Sequence, residues 1–90
     1  MKVGFARQYW RIREALEQMQ LRITDVRDLI SEESLAEGKE PIHYQPVWAT
    51  IRGLKNDRRT LRFLIKLGVP LEYLDLPRDL QAEITNRPHT

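Results

Sequence analysis

Cysteine is absent from the chain, which excludes a disulfide framework and any thiolate metal site. Histidine is scarce: His43 and His89 stand far apart, without ligand-like spacing to carboxylates, and no metal site is expected. The four glycines occur singly, so no glycine-rich loop can cradle a phosphate. No apolar run approaches the roughly 18 residues of a membrane span, and Met1-Lys2-Val3 leads straight into Arg7, Arg11 and Arg13 without a signal-peptide pattern. Alternating strand patterns are missing as well, because valine and isoleucine recur mostly at helical spacing. These absences lead to the expectation of an all-α, cytoplasmic domain that neither crosses nor binds a membrane.

Catalytic groupings are equally sparse. Ser31 and Ser34 fall in an acidic stretch with no histidine nearby in sequence, and Glu32-Glu33 reads as a solvated pair. A domain this small has little room for a deep pocket. No enzyme activity, cofactor or small-molecule substrate is expected.

Ninety residues with 41% hydrophobic and 31% charged side chains make one globular domain, expected over residues 1–86 with a frayed tail at 87–90. The charge is unevenly spread. Residues 47–68 hold six Lys/Arg against one Asp, whereas residues 31–46 hold one Lys against four Glu. A basic block beside acidic ones suits a polyanionic partner, although a solvated helix face has the same composition.

Periodicity predicts four to six short helices in a compact orthogonal bundle. Phe5, Tyr9, Ile12, Leu16 and Met19 form one stripe of a first helix with Gly4 near its start, and Trp10, off that stripe, either covers the helix edge or faces a partner. Arg7, Arg11 and Arg13 read as its solvated face. Thr24-Asp25 can begin a second helix burying Val26, Leu29 and Ile30. Ser31 to Glu37 either extends that helix or starts another, with Gly38 as the stop. A third helix begins at His43 or Tyr44, carries Pro46 in its first turn, turns Val47, Ile51 and Leu54 inward and ends at Gly53. Asn56-Asp57 forms a capped turn before a fourth helix from Arg58 to Leu67. Pro70 opens one further turn, and Pro77 another through Ile84.

The third helix, at about 43–52, carries Tyr44, Gln45, Trp48 and Arg52 on the side away from Val47 and Ile51. Such a face suits the major groove of double-stranded DNA, where glutamine can read adenine and arginine can read guanine or hold a phosphate. Lys55, Asn56, Arg58 and Arg59 follow directly and are expected to meet the sugar–phosphate backbone.

Two stretches resemble the λ-repressor/Cro-type helix-turn-helix family, small phage-encoded regulators especially. Residues Arg13 to Glu17 and Leu21 to Val26 are similar to the end of helix 1 and the start of helix 2. Val47-Trp48-Ala49-Thr50-Ile51-Arg52-Gly53 resembles the end of a recognition helix. Leu61 to Leu67 with Gly68-Val69-Pro70-Leu71-Glu72-Tyr73-Leu74 looks like the family's closing segment. The resemblance implies a transcriptional regulator, a repressor of phage or mobile-element origin, acting as a homodimer on half-sites roughly 34 Å apart. It implies base-reading roles for Tyr44, Gln45, Trp48 and Ala49, and places Thr24, Arg52, Lys55, Asn56, Arg58 and Arg59 at phosphates. His43 falls at the recognition-helix cap, where Ser or Thr is common. The chain departs from the family between Val26 and Val47, about ten residues longer than a tight turn allows. Two registers fit: an elongated helix 2 or inserted turn, and one in which Ser31 to Ala36 is itself helix 2. Trp48 and Thr50 are also unusual at their positions.

A helical adaptor or inhibitor of another protein is the alternative. Tyr9, Trp10 and Trp48 would then be anchors, and the acidic 31–40 segment would meet a basic partner. Self-association through Leu80 and Ile84 suits either function.

Overall fold

A computed structural model describes residues 6–85. Gly4, Phe5 and the 87–90 tail lie outside the described residues. The described elements are helices α1 (Tyr9–Gln18), α2 (Ile23–Ala36), α3 (Tyr44–Arg52), α4 (Arg58–Leu67) and α5 (Arg78–Thr85), with a 3-10 turn at Leu71–Tyr73 before the last. The described residues contain no strand and are all-α.

Helix α1 begins later than its apolar stripe suggests. Ala6 to Gln8 is non-helical because its donors are drawn across to the 72–75 segment: the Gln8 N–H meets the Tyr73 carbonyl at 2.8 Å, and the Ala6 N–H meets Asp75 Oδ2 at 2.7 Å. Ile12 and Leu16 are buried, Tyr9 is half-buried, and Met19 emerges at the helix end. Trp10 does not cover the edge of the helix but stands 71% exposed.

Helix α2 resolves the ambiguity at Ser31 by running on to Ala36. Both serines in the extension have work on its inner side. The Ser31 hydroxyl accepts from the Ile42 N–H at 3.1 Å and donates to the Ile42 carbonyl at 3.3 Å. Buried Ser34 accepts from the Arg59 guanidinium at 3.2 Å, which also reaches the Glu40 carbonyl at 3.1 Å. The connection from residue 37 to 43 is therefore fastened to α2 by one of its serines and, through Arg59, to α4.

Helices α1 to α3 deliver Ile12, Leu16, Val26, Ile30, Val47 and Ile51 to one core, closed by Leu61, Phe63 and Leu64 of α4 and by Leu74 and Leu80 further along. Four helices end in the same hydrogen-bonded reversal. At α3 the Leu54 N–H returns to the Ala49 carbonyl at 2.8 Å across Gly53, whose φ of 90° disfavours any side chain. α2 and α4 turn likewise at Gly38 and Gly68. α1 makes the reversal with Gln20 at φ 61°. Leu54, expected in the inner row of α3, lies beyond this stop and is exposed.

Arg7 pins the two ends of the described chain to the middle. Only 7% exposed, it reaches the carbonyls of Thr50 at 2.7 Å and Lys55 at 2.8 Å, the Asn56 side-chain oxygen at 2.6 Å and the carbonyls of Leu74 and Asp75. Burial lowers the affinity of this guanidinium for its proton; Asp75 opposes the shift and Arg58 adds to it. The expectation of a merely solvated Arg7 is thus overturned. A planar fork of N–H groups adds a second donor to the Thr50 carbonyl, which also accepts the Gly53 N–H, and satisfies the Lys55 and Leu74 carbonyls.

Candidate nucleic-acid interface

Helix α3 begins at a β-region cap, His43, whose side chain makes no capping hydrogen bond. The expected cap position is thus correct, but the imidazole leaves the first N–H groups of the helix to other partners. At 3.6 residues per turn, Tyr44, Gln45, Trp48 and Arg52 fall within an arc of about 100°. They form the outward strip: Tyr44, Gln45 and Arg52 are exposed and Trp48 is half-buried. Val47, Ala49, Thr50 and Ile51 are buried around the rest of the helix.

That burial removes Ala49 from the base-reading set, since at 3% exposure its methyl is covered by protein. Thr50, the polar residue on the inner face, is satisfied in place. Its hydroxyl accepts from the Asp57 N–H at 3.1 Å and its carbonyl from Arg7.

The basic block after α3 divides into two kinds of cation. Arg58 and Arg62, one turn apart on α4, pair with Asp79 and Glu83, one turn apart on α5. Lys66 pairs with Glu33 of α2. Glu83 raises the affinity of Arg62 for its proton, with burial opposing. Arg59 faces Ser34 and Glu40. Asn56 accepts from Arg7, and Asp57 caps α4, accepting from the Thr60 N–H at 2.9 Å and the Thr60 hydroxyl at 2.7 Å. Arg58, Arg59 and Asn56, expected at phosphates, are thereby committed to the fold. Lys55 keeps an exposed side chain and lends only its carbonyl to Arg7.

Thr24 is half-buried in the first turn of α2. The carboxylate of the adjacent Asp25 accepts the Arg22 N–H at 2.8 Å. That backbone hydrogen bond, ahead of the smaller help from the Arg22 side chain, holds the Asp25 carboxyl below the ordinary aspartate range, with desolvation opposing. A carboxylate thus already stands in the first turn of α2 beside Thr24, the residue expected at a phosphate.

The cation facing outward from α3 is held by rings. The Arg52 guanidinium lies 4.5 Å from the Tyr9 ring centroid and 5.9 Å from that of Trp48. Arg13 lies 5.8 Å from the Tyr9 ring and 5.9 Å from Trp10, and Tyr9 and Trp10 meet edge to face at 5.0 Å. Arg11 lies 5.8 Å from the Tyr73 ring. Among the described residues neither Arg11 nor Arg52 has a carboxylate within ion-pair distance. The surface of α3 therefore continues onto α1 through Arg52 and Tyr9, a continuation that sequence reasoning missed. Its one signal in the sequence is the pair of aromatics at Tyr9-Trp10 among three arginines spaced by four and two residues.

Among the described residues no group of His, Asp and Glu side chains could hold a metal ion, and no helix is long and apolar enough to cross a membrane. The chain matches no family model, no curated protein sequence and no solved structure.

Proposed function

We propose that this protein is a sequence-specific duplex-DNA-binding regulator that presents α3 to the major groove. The resemblance to λ-repressor/Cro-type proteins gives α2 and α3 the roles of the helix-turn-helix, with an elongated helix 2 and a fastened seven-residue connection at 37–43 in place of the tight turn. The observation that carries this function is the outward strip of α3: Tyr44, Gln45 and Trp48 beside an arginine that no carboxylate neutralises. Gln45 is suited to an adenine edge, and Arg52 with Lys55 to the adjoining phosphates. A homodimer would set two such helices on a two-fold symmetric site. Leu80 is buried in the protomer, which leaves Ile84, alone of the two residues considered for self-association, with partial exposure.

Selection of bound sequences from a random duplex pool tests this function. An enriched two-fold symmetric site is the expected result, and recovery of no preferred sequence at low or moderate salt would reject it.

The exposure of Trp10 supports a second function, a helical adaptor anchored on a protein partner. One stoichiometric protein partner captured by the wild-type chain but not by Trp10→Ala, together with no shift of random duplex at low salt, would favour it.

A further inference from the structure

Between the start of α1 and the end of α3 lies an open depression of about 440 Å³ lined by Arg7, Gln8, Tyr9, Trp10, Arg11 and Arg52. Among the described residues no carboxylate lines it. Arg7 is spent on backbone carbonyls, so the charge available to a ligand belongs to Arg11 and Arg52. Each of these is held against a tyrosine, Arg52 against Tyr9 and Arg11 against Tyr73. A ring differs from a carboxylate as a holder of arginine. It fixes the guanidinium plane through the face while leaving the full charge and the N–H edge unneutralised.

We propose that this depression binds the phosphodiester backbone of the duplex flanking the α3 groove, with Arg11 and Arg52 as the phosphate-binding cations and Tyr9 as the positioning residue that presents Arg52. The site rests on the DNA-binding function above and extends it from α3 to α1. The occupant follows from continuity and charge. Arg52 belongs both to the outward strip of α3 and to the depression, so a duplex lying on α3 carries its backbone towards Arg11. Arg13, also over the Tyr9 ring, lies 3.9 Å from the Glu17 carboxylate, which leaves Arg11 and Arg52 as the cations open to an anion. Tyr9 fixes the long Arg52 side chain before binding, and this saves ordering entropy on association.

Fluorescence anisotropy with a labelled random-sequence duplex, at two salt concentrations, tests the site. Arg52→Ala and Arg11→Ala are each expected to weaken binding about tenfold or more at low salt, because each removes a phosphate contact. Arg52→Lys keeps the charge and the exposed position but loses the stacked plane, and it should recover only part of the loss. Tyr9→Phe should bind within twofold of wild type, whereas Tyr9→Leu should weaken binding several-fold and add little to Arg52→Ala in the double variant. Wild-type affinity in both Arg11→Ala and Arg52→Lys, with salt-dependent binding retained, would overturn the site alone. Full additivity of the Tyr9→Leu and Arg52→Ala losses would overturn the positioning role. Inorganic phosphate at matched ionic strength should not compete; competition at millimolar concentration would assign the depression to a free anion instead. A wild-type protein that binds no duplex at low salt would overturn the site together with the function it extends.

Discussion

Arg58 of α4 grips Asp79 of α5 through two parallel hydrogen bonds, Nε to Oδ2 at 2.9 Å and Nη2 to Oδ1 at 3.1 Å. Arg62 and Glu83 repeat the arrangement one turn along at 3.2 and 3.0 Å. Two cations of the basic block that follows α3 thus form a ladder that docks the last helix.

Arg58→Ala is accordingly expected to act on stability. The pair is partly exposed, so the loss should be modest, about 0.5–1 kcal/mol. Urea denaturation should register it, while duplex affinity stays within twofold of wild type. The exchanged pair Arg58→Asp with Asp79→Arg should recover most of the stability.

Arg7→Met should be far more damaging, because it strands the carbonyls of Lys55 and Leu74 and the Asn56 amide oxygen and leaves the Thr50 carbonyl with the Gly53 N–H alone. A loss of about 3–4 kcal/mol is expected from that many charge-assisted hydrogen bonds. Arg7→Lys should rescue little of it, since an ammonium cannot span the same fork. Equilibrium unfolding of both variants checks the order.

Gln20→Gly should stabilise the fold. Gln20 closes α1 with φ at 61°, a conformation that glycine adopts without steric cost, and a gain of about 0.5 kcal/mol remains after the added freedom of the unfolded chain. A rise in melting temperature is the expected readout.

Acid should loosen the start of α2. The Asp25 carboxyl is held below its ordinary range when folded, so the unfolded chain takes up a proton first as pH falls. The contribution of Asp25 is complete above its unfolded value, near pH 4, and is lost as pH drops through the lower folded value. The protection of the Arg22 amide against hydrogen exchange, taken relative to a free peptide at the same pH, should fall across that interval in wild type. Asp25→Asn should show weaker protection and no such step.

The residues that were legible in the sequence act on their near neighbours. Asp57 caps Thr60 three residues on, and Gly53 and Gly68 close helices whose ends they adjoin, so the limits of α4 follow from local backbone chemistry. Arg7 could not be read this way, because its partners lie 43 to 68 residues distant and only the closed fold assembles them. The same holds for Arg58 and Arg62, each 21 residues from its carboxylate. Composition recorded a positive block without showing which members were already paired. The burial of Ala49 is hidden in the sequence for a different reason. It borders the outward arc of α3, and only the packing of neighbouring elements decides whether an edge position is covered. Trp10 marked the surface of α1 by its place off the stripe, yet periodicity alone did not reveal that Tyr9 beneath it carries an arginine from α3.

The dependence of duplex affinity on salt, compared between Arg52→Ala and the double variant Arg58→Ala/Arg62→Ala, tests the division of the basic residues most directly. Wild type should lose affinity steeply as salt rises, Arg52→Ala should reduce the log–log slope by about one, and the double variant should keep the wild-type slope. A flat wild-type slope, or a slope reduced by the double variant and untouched by Arg52→Ala, would contradict it.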